Sequence, residues 1–142
     1  MFRHIELRNC ILPDMPSISA DANQISQILM NLLLNAAQAT APGGKITILA
    51  EKAKFADVIE LRVCDTGSGI PADILQHIFE PFFTTKRGQG TGLGLSITQS
   101  YVRSHGGDIQ VESIAGCGTT VRVTLPMRQA GKGVEHMEGV IA

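Results

Sequence analysis

From Ile25 onward apolar side chains recur at Ile28, Leu29, Leu32, Leu33 and Ala36, the 3.6-residue spacing of a helix. Ser19 and Asp21 precede the run as cap candidates, so the spacing predicts a helix over about Asp21 to Thr40. Pro42-Gly43-Gly44 breaks it. Beyond the break the period changes to two. Ile46, Ile48 and Ala50, then Ile59, Leu61 and Val63, alternate with more polar neighbours, which predicts two strands in a hairpin. Pro71 to Gln76 suits a short helix, while Glu80 to Gly90 has no sustained period and predicts a mobile loop. A second helix is expected from about Thr91 to His105, ended by Gly106-Gly107 because glycine takes the left-handed C-cap conformation readily. Ile109, Val111 and Ser113, then Val121, Val123 and Leu125, give two more strands joined through Ala115-Gly116-Cys117-Gly118. Ile5-Glu6 also reads as strand. After Pro126 the pattern dissolves, so residues 1–126 are expected to form one domain and 127–142 a poorly ordered tail. Helices between hairpins make an α+β layer, one sheet covered by helices on one face.

Composition narrows the function classes. A chain of 142 residues, 44% hydrophobic and 18% charged, suits one ordinary globular domain. Its formal net charge of -1, with no Lys/Arg cluster, argues against nucleic acid as a partner. Cys10, Cys64 and Cys117 are odd in number and far apart, which suggests neither a disulfide framework nor a zinc site and fits a reducing cytoplasm. The apolar stretch Ile28 to Leu34 is interrupted by Asn31, well short of the roughly 18 residues that a membrane span needs. Any membrane anchor of a parent protein is expected outside this sequence.

Three stretches can carry chemistry. Gln27, Asn31, Asn35 and Gln38 form one amide stripe on an otherwise apolar helix, where Met30 and Leu34 occupy the side opposite Leu29 and Leu33. Buried amides must find hydrogen-bond partners, so the stripe consists either of core amides satisfied by neighbouring backbone or of ligands, an Asn carbonyl oxygen being suited to magnesium. Asp65-Thr66-Gly67-Ser68-Gly69-Ile70 follows the strand ending at Cys64. Its aspartate either caps a tight turn or accepts a hydrogen bond from the exocyclic amine of adenine, where guanine would present an oxygen. The tetrapeptide Asp-Thr-Gly-Ser also matches aspartic proteases, but those are almost all-β, and the long amide-striped helix contradicts that reading. Gly88-Gln89-Gly90-Thr91-Gly92-Leu93-Gly94-Leu95 runs into the second helix, where exposed amides and the helix dipole favour a phosphate. It is neither a Walker A loop nor a Rossmann fingerprint. Phe79-Glu80-Pro81-Phe82 lies between the last two stretches, either pinning a loop or belonging to a lid.

Taken in order, these stretches resemble the ATP-binding catalytic domains of bacterial sensor histidine kinases over about Ile18 to Pro126. Gln27-x-x-x-Asn31-x-x-x-Asn35-Ala36 looks like their N box, and Asp65-x-Gly67-x-Gly69 like the G1 box. Phe79-Glu80-Pro81-Phe82 resembles the F box and Gly90-Thr91-Gly92-Leu93-Gly94-Leu95 the G2 box, while Gly116-x-Gly118-Thr119 resembles the closing motif. The resemblance implies the Bergerat fold, an α/β sandwich with one mixed, mostly antiparallel sheet, about three helices on one face and a flexible ATP lid. It implies that Asn35 holds magnesium, Asp65 the adenine and the backbone of Gly90 to Gly94 the phosphates, with Thr119 near adenine. Gln38, Gly67, Gly69, Ile70, Phe82, Leu93 and Leu95 are further nucleotide-contact candidates, and Asn31, Asn35 and Lys86 are the catalytic ones, Lys86 as a lid cation near the γ-phosphate. Gln38 stands where many relatives carry a basic residue and Ala39 where many carry an aromatic, so those contacts differ here.

ATP-hydrolysing chaperones, topoisomerases and mismatch-repair ATPases of the same fold place a general-base glutamate where this chain has Asn31. An amide cannot abstract a proton from water, so hydrolysis by that route is not expected. The implied activity is to present the γ-phosphate of Mg-ATP to a histidine on a separate dimerisation and phosphoacceptor domain, with a response regulator downstream. None of His4, His77, His105 and His136 lies in a pattern resembling the phosphoacceptor helix, so the chain is expected to be a monomer that does not phosphorylate itself. The alternative is a non-catalytic nucleotide-binding regulatory module of the same fold.

Overall fold

The computed structural model describes residues 5–11, 22–53, 57–82 and 94–126. Period-two alternation produces the sheet. Strands β1 (Glu6–Ile11), β2 (Lys45–Lys52), β3 (Val58–Asp65), β4 (Asp108–Ile114) and β5 (Gly118–Pro126) lie in the order β1-β2-β3-β5-β4. Three neighbouring pairs are antiparallel. The expected hairpins pair Ile48 with Val63 and Val111 with Val121, while β3 and β5 close the gap between the two hairpins. β1 instead runs parallel to β2, with Leu7 against Ile46. Parallel neighbours need a crossover rather than a tight turn, and helix α1 (Ala22–Ala39) is the element between them.

Ile25, Ile28, Leu32 and Ala36 of α1 are buried, and so are Ile46, Ile48 and Ala50 of β2, Ile59, Leu61 and Val63 of β3, and Val121, Val123 and Leu125 of β5. A fully buried side chain of this size contributes about 1.5–3 kcal/mol, so this one helix face and one sheet face form the core. Leu29 and Leu33 pack at its margin. Met30, placed by the pattern on the opposite side, is 54% exposed, so α1 is not enclosed all round. Its end is marked by Thr40, whose hydroxyl donates to the Ala36 carbonyl at 2.7 Å, followed by the Pro42-Gly43-Gly44 turn.

Helix α2 is the single turn Ala72–Leu75, and α3 (Gly94–Ser104) lies beside α1 with Val102 fully buried. The expected second helix is thus present from Gly94, while its first three expected residues, residues 83–90 of the expected loop and the tail lie outside the described residues; of that loop, Glu80 lies in a bend and Pro81 and Phe82 in a turn. His105 Nδ1–H donates to the Tyr101 carbonyl, 2.7 Å away, where the helix ends. No described helix is long and apolar enough to cross a membrane.

On the sheet face away from the helices, Arg62 and Arg122 are direct neighbours across β3 and β5. Glu60 separates the two charges, 2.7 Å from Arg122 and 3.3 Å from Arg62, and Glu51 and Glu112 pair with their outer sides at 2.6 and 2.7 Å. Glu112, through its hydrogen bond and its charge, holds the Arg122 guanidinium above its ordinary proton affinity, and Glu60 adds to this. This face is a solvated charge ladder.

Candidate functional site

The site begins at the end of the central strand. Asp65 is the last residue of β3, and the pairing registers place it directly between Ile46 of β2 and Thr119 of β5, with Ser113 of β4 beyond Thr119. Directly paired residues point to the same sheet face. Asp65, Thr119 and Ser113 therefore form a polar row on the face that carries the core, one position beyond its apolar rows. Thr119 is buried, and Asp65 and Ser113 are half-buried.

The loop after Asp65 is held from three sides. Its own carboxylate accepts from the Gly67 N–H at 2.8 Å. The Ser68 N–H donates to the Ala39 carbonyl at the end of α1, 3.0 Å away, and the Thr66 N–H donates to the Lys45 carbonyl at 3.1 Å. On the β4–β5 side the Gly116 N–H donates to the Ser68 carbonyl at 2.6 Å, and the Ile70 N–H donates to Ser113 Oγ at 2.7 Å. Such close backbone approach explains two of the glycines. A Cβ at Gly67 would lie 2.3 Å from the Ala39 carbonyl oxygen. Gly69 has φ +71, and a Cβ there would lie 2.0 Å from the Ile114 carbonyl oxygen. The loop after Asp65 is thereby fixed by β2, by the β4–β5 hairpin and by α1.

The amide stripe lies on α1, whose last turn holds the Asp65 loop. Asn31, Asn35 and Gln38 are all half-buried. Asn31 is committed to the second helix: its Nδ2 donates to Thr98 Oγ1 at 3.2 Å and to the Gly94 carbonyl at 3.3 Å, while its Oδ1 accepts from Gln27 Nε2 at 2.9 Å. Thr98, fully buried, donates its own proton to the Gly94 carbonyl at 2.7 Å. Leu95 packs against the core. The first turn of α3, where the glycine-rich stretch enters the helix, is therefore fastened to the amide stripe.

Other candidates stand apart or lie elsewhere. Phe79 packs at the core margin, whereas Phe82 is 73% exposed with φ +65. Lys86, Gly90, Thr91, Gly92 and Leu93 lie outside the described residues. Among the described residues no group of three His, Cys, Asp or Glu gathers to hold a metal; the half-buried stripe offers Asn carbonyl oxygens, hard donors of the kind that share a divalent ion with phosphate and water. Such a donor set suits magnesium. Sequence reasoning missed Ser113 and Thr98. Ser113 had one signal, a hydroxyl at the inward position of a strand whose other inward residues are Ile109 and Val111.

The model of the histidine kinase-, DNA gyrase B-, and HSP90-like ATPases matches residues 20–129. The chain belongs to this family. Among its relatives it is 43% identical over 125 residues to the sensor histidine kinase ZraS of Escherichia coli K12, and 43% identical over 138 residues to the sensor kinase CckA of Brucella abortus. These alignments cover 88% and 87% of this chain but only 26% and 15% of those proteins. Its fold matches the mycobacterial sensor histidine kinase MprB with a TM-score of 0.77 at 30% identity, covering 88% of this chain and 83% of that one. It matches the full-length ShkA structure in complex with AMPPNP with a TM-score of 0.77 at 32% identity, covering 89% of this chain and 26% of that one. The chain is thus an ATP-binding domain of the histidine kinase type, and its mixed five-stranded sheet with helices on one face is the fold of those catalytic domains.

Proposed function

We propose that this domain binds Mg-ATP between the α1 amide stripe and the Asp65 row and presents the γ-phosphate to a histidine on a separate dimerisation and phosphoacceptor domain. The observation that carries the reading is the placement of Asp65 at the end of the central strand, its carboxylate accepting from the Gly67 N–H of a loop that α1, β2 and the β4–β5 hairpin brace. Such a fixed acceptor suits the exocyclic amine of adenine. Asn35 would supply an oxygen to magnesium, and the first turn of α3 would offer backbone amides to phosphate. Gly67, Gly69 and Ile70 would shape the adenine wall, while the resemblance alone assigns Lys86, Gly90, Thr91, Gly92 and Leu93 to contacts with the phosphates. Magnesium, when bound, neutralises phosphate charge.

Phosphoryl transfer requires chiefly positioning and charge neutralisation. Asn31 has no proton-abstracting group, and its amide is engaged with Thr98. The domain is accordingly suited to hold ATP for transfer rather than to activate water. Calorimetric titration with ATP and GTP in magnesium tests the reading. The expected result is binding that favours ATP and falls at least roughly tenfold in Asp65→Asn, which turns one carboxylate oxygen into a donor. Absence of ATP binding by the folded chain would refute the proposal.

A further inference from the structure

Ser113 ends the polar row, and its hydroxyl oxygen has three polar neighbours. It accepts from the Ile70 N–H at 2.7 Å, lies 3.0 Å from the Gly118 carbonyl oxygen, and lies 2.7 Å from Thr119 Oγ1. A hydroxyl has one proton to give and two lone pairs. Were Ser113 to give its proton to Thr119, its oxygen would face the Gly118 carbonyl with no hydrogen between them, a repulsive contact. Only one arrangement puts a proton in every contact: Ser113 donates to Gly118, and Thr119 donates to Ser113. The Thr119 proton is then used within the protein, and only its lone pairs are left for the pocket.

Asp65 and Thr119 are direct partners across β3 and β5. We infer that Ser113 is a positioning residue that sets base specificity: by holding Thr119 as an acceptor beside Asp65, it gives the pocket two adjacent acceptors. Two acceptors match the two N–H donors of a 6-aminopurine and oppose a 6-carbonyl purine. This inference rests on the proposed nucleotide site.

The test compares Mg-ATP with Mg-ITP by calorimetry on the full chain, with folding of each variant checked by thermal melting. Ser113→Thr keeps the hydroxyl, and Ser113→Val has the same shape without it. Wild type and Ser113→Thr are expected to prefer ATP over ITP equally, within about twofold, while Ser113→Val loses roughly tenfold of that preference because Thr119 becomes free to donate to the 6-carbonyl. In a Thr119→Val background the Ser113→Val change should leave the ATP/ITP ratio where Thr119→Val alone puts it. If the Ser113→Val protein does not fold, Ser113→Ala makes the same comparison. Equal losses of ATP and ITP affinity without the hydroxyl, or an equal fall in the ratio for Ser113→Thr, would overturn the inference while the nucleotide site stands. A folded wild type that binds neither nucleotide removes the site itself, and this inference with it.

Discussion

Gly94 and Gly69 both belong to glycine motifs, yet their surroundings differ. Among the described residues a Cβ at Gly94 meets nothing within 4 Å, and the residue opens α3. Alanine is favoured over glycine by about 0.5–1 kcal/mol in a helix interior and by less at its first residue, so packing among the described residues gives no reason for glycine here. A phosphate approaching the backbone does. We therefore expect Gly94→Ala to melt at or above the wild-type temperature while its ATP affinity falls roughly tenfold. Wild-type affinity in that variant would exclude the first turn of α3 as the phosphate contact. Gly69→Ala should behave in the opposite way. Its left-handed backbone costs about 1–2 kcal/mol and the clash with Ile114 about 1–3 more, so denaturant unfolding should show a loss of about 3 kcal/mol. At this scale the sequence was informative where a residue type is rare for its purpose. Asp65, Gly67 and Gly69 stand out because few other residues meet their demands. Ser113 and Thr98 do not, because a hydroxyl gains its meaning only from the strand or helix that folding sets beside it.

The seam between α1 and α3 is the element-level counterpart. Asn31 reaches two oxygens on α3, Thr98 Oγ1 and the Gly94 carbonyl, and Thr98 has already given its proton to Gly94. Only the amide nitrogen of Asn31 suits both. Asn31→Asp keeps the shape and sets a carboxylate oxygen against two acceptors, so it should destabilise the fold by about 1–3 kcal/mol in urea unfolding, more than Asn31→Ala, which removes the opposing group. Equal losses in the two variants would show that the amide serves as packing alone. The periodicity of Ile25 to Ala36 made α1 legible, and the alternation in β2, β3, β4 and β5 made both hairpins legible, register face included. The parallel pairing of β1 was not, because period two specifies which face of a strand is buried and says nothing of its neighbour. The tie of Asn31 to α3 was likewise invisible to spacing.

For the whole molecule, the relation between binding and transfer decides what these residues can do alone. The chain spans about a quarter of ZraS and less of CckA, and under the proposed function a domain that holds ATP without activating water depends on a nucleophile brought to it. Of the described histidines, His77 is hydrogen-bonded to Glu80 and His105 closes α3 on the Tyr101 carbonyl, both as parts of local turns. We expect the chain to sediment as a monomer of 15.2 kDa and, with γ-labelled ATP, to acquire no acid-labile phosphate. Adding the phosphoacceptor domain of its parent kinase as a separate protein should place label on that domain's histidine, and Asp65→Asn should abolish the transfer without preventing the two domains from meeting. Acid-labile phosphate on this chain would sink the two-domain division of labour. Binding of ATP without transfer to any supplied acceptor would favour a nucleotide-regulated module instead. The two outcomes separate because only transfer requires the γ-phosphate to face outward, whereas Asp65→Asn weakens ATP binding in both.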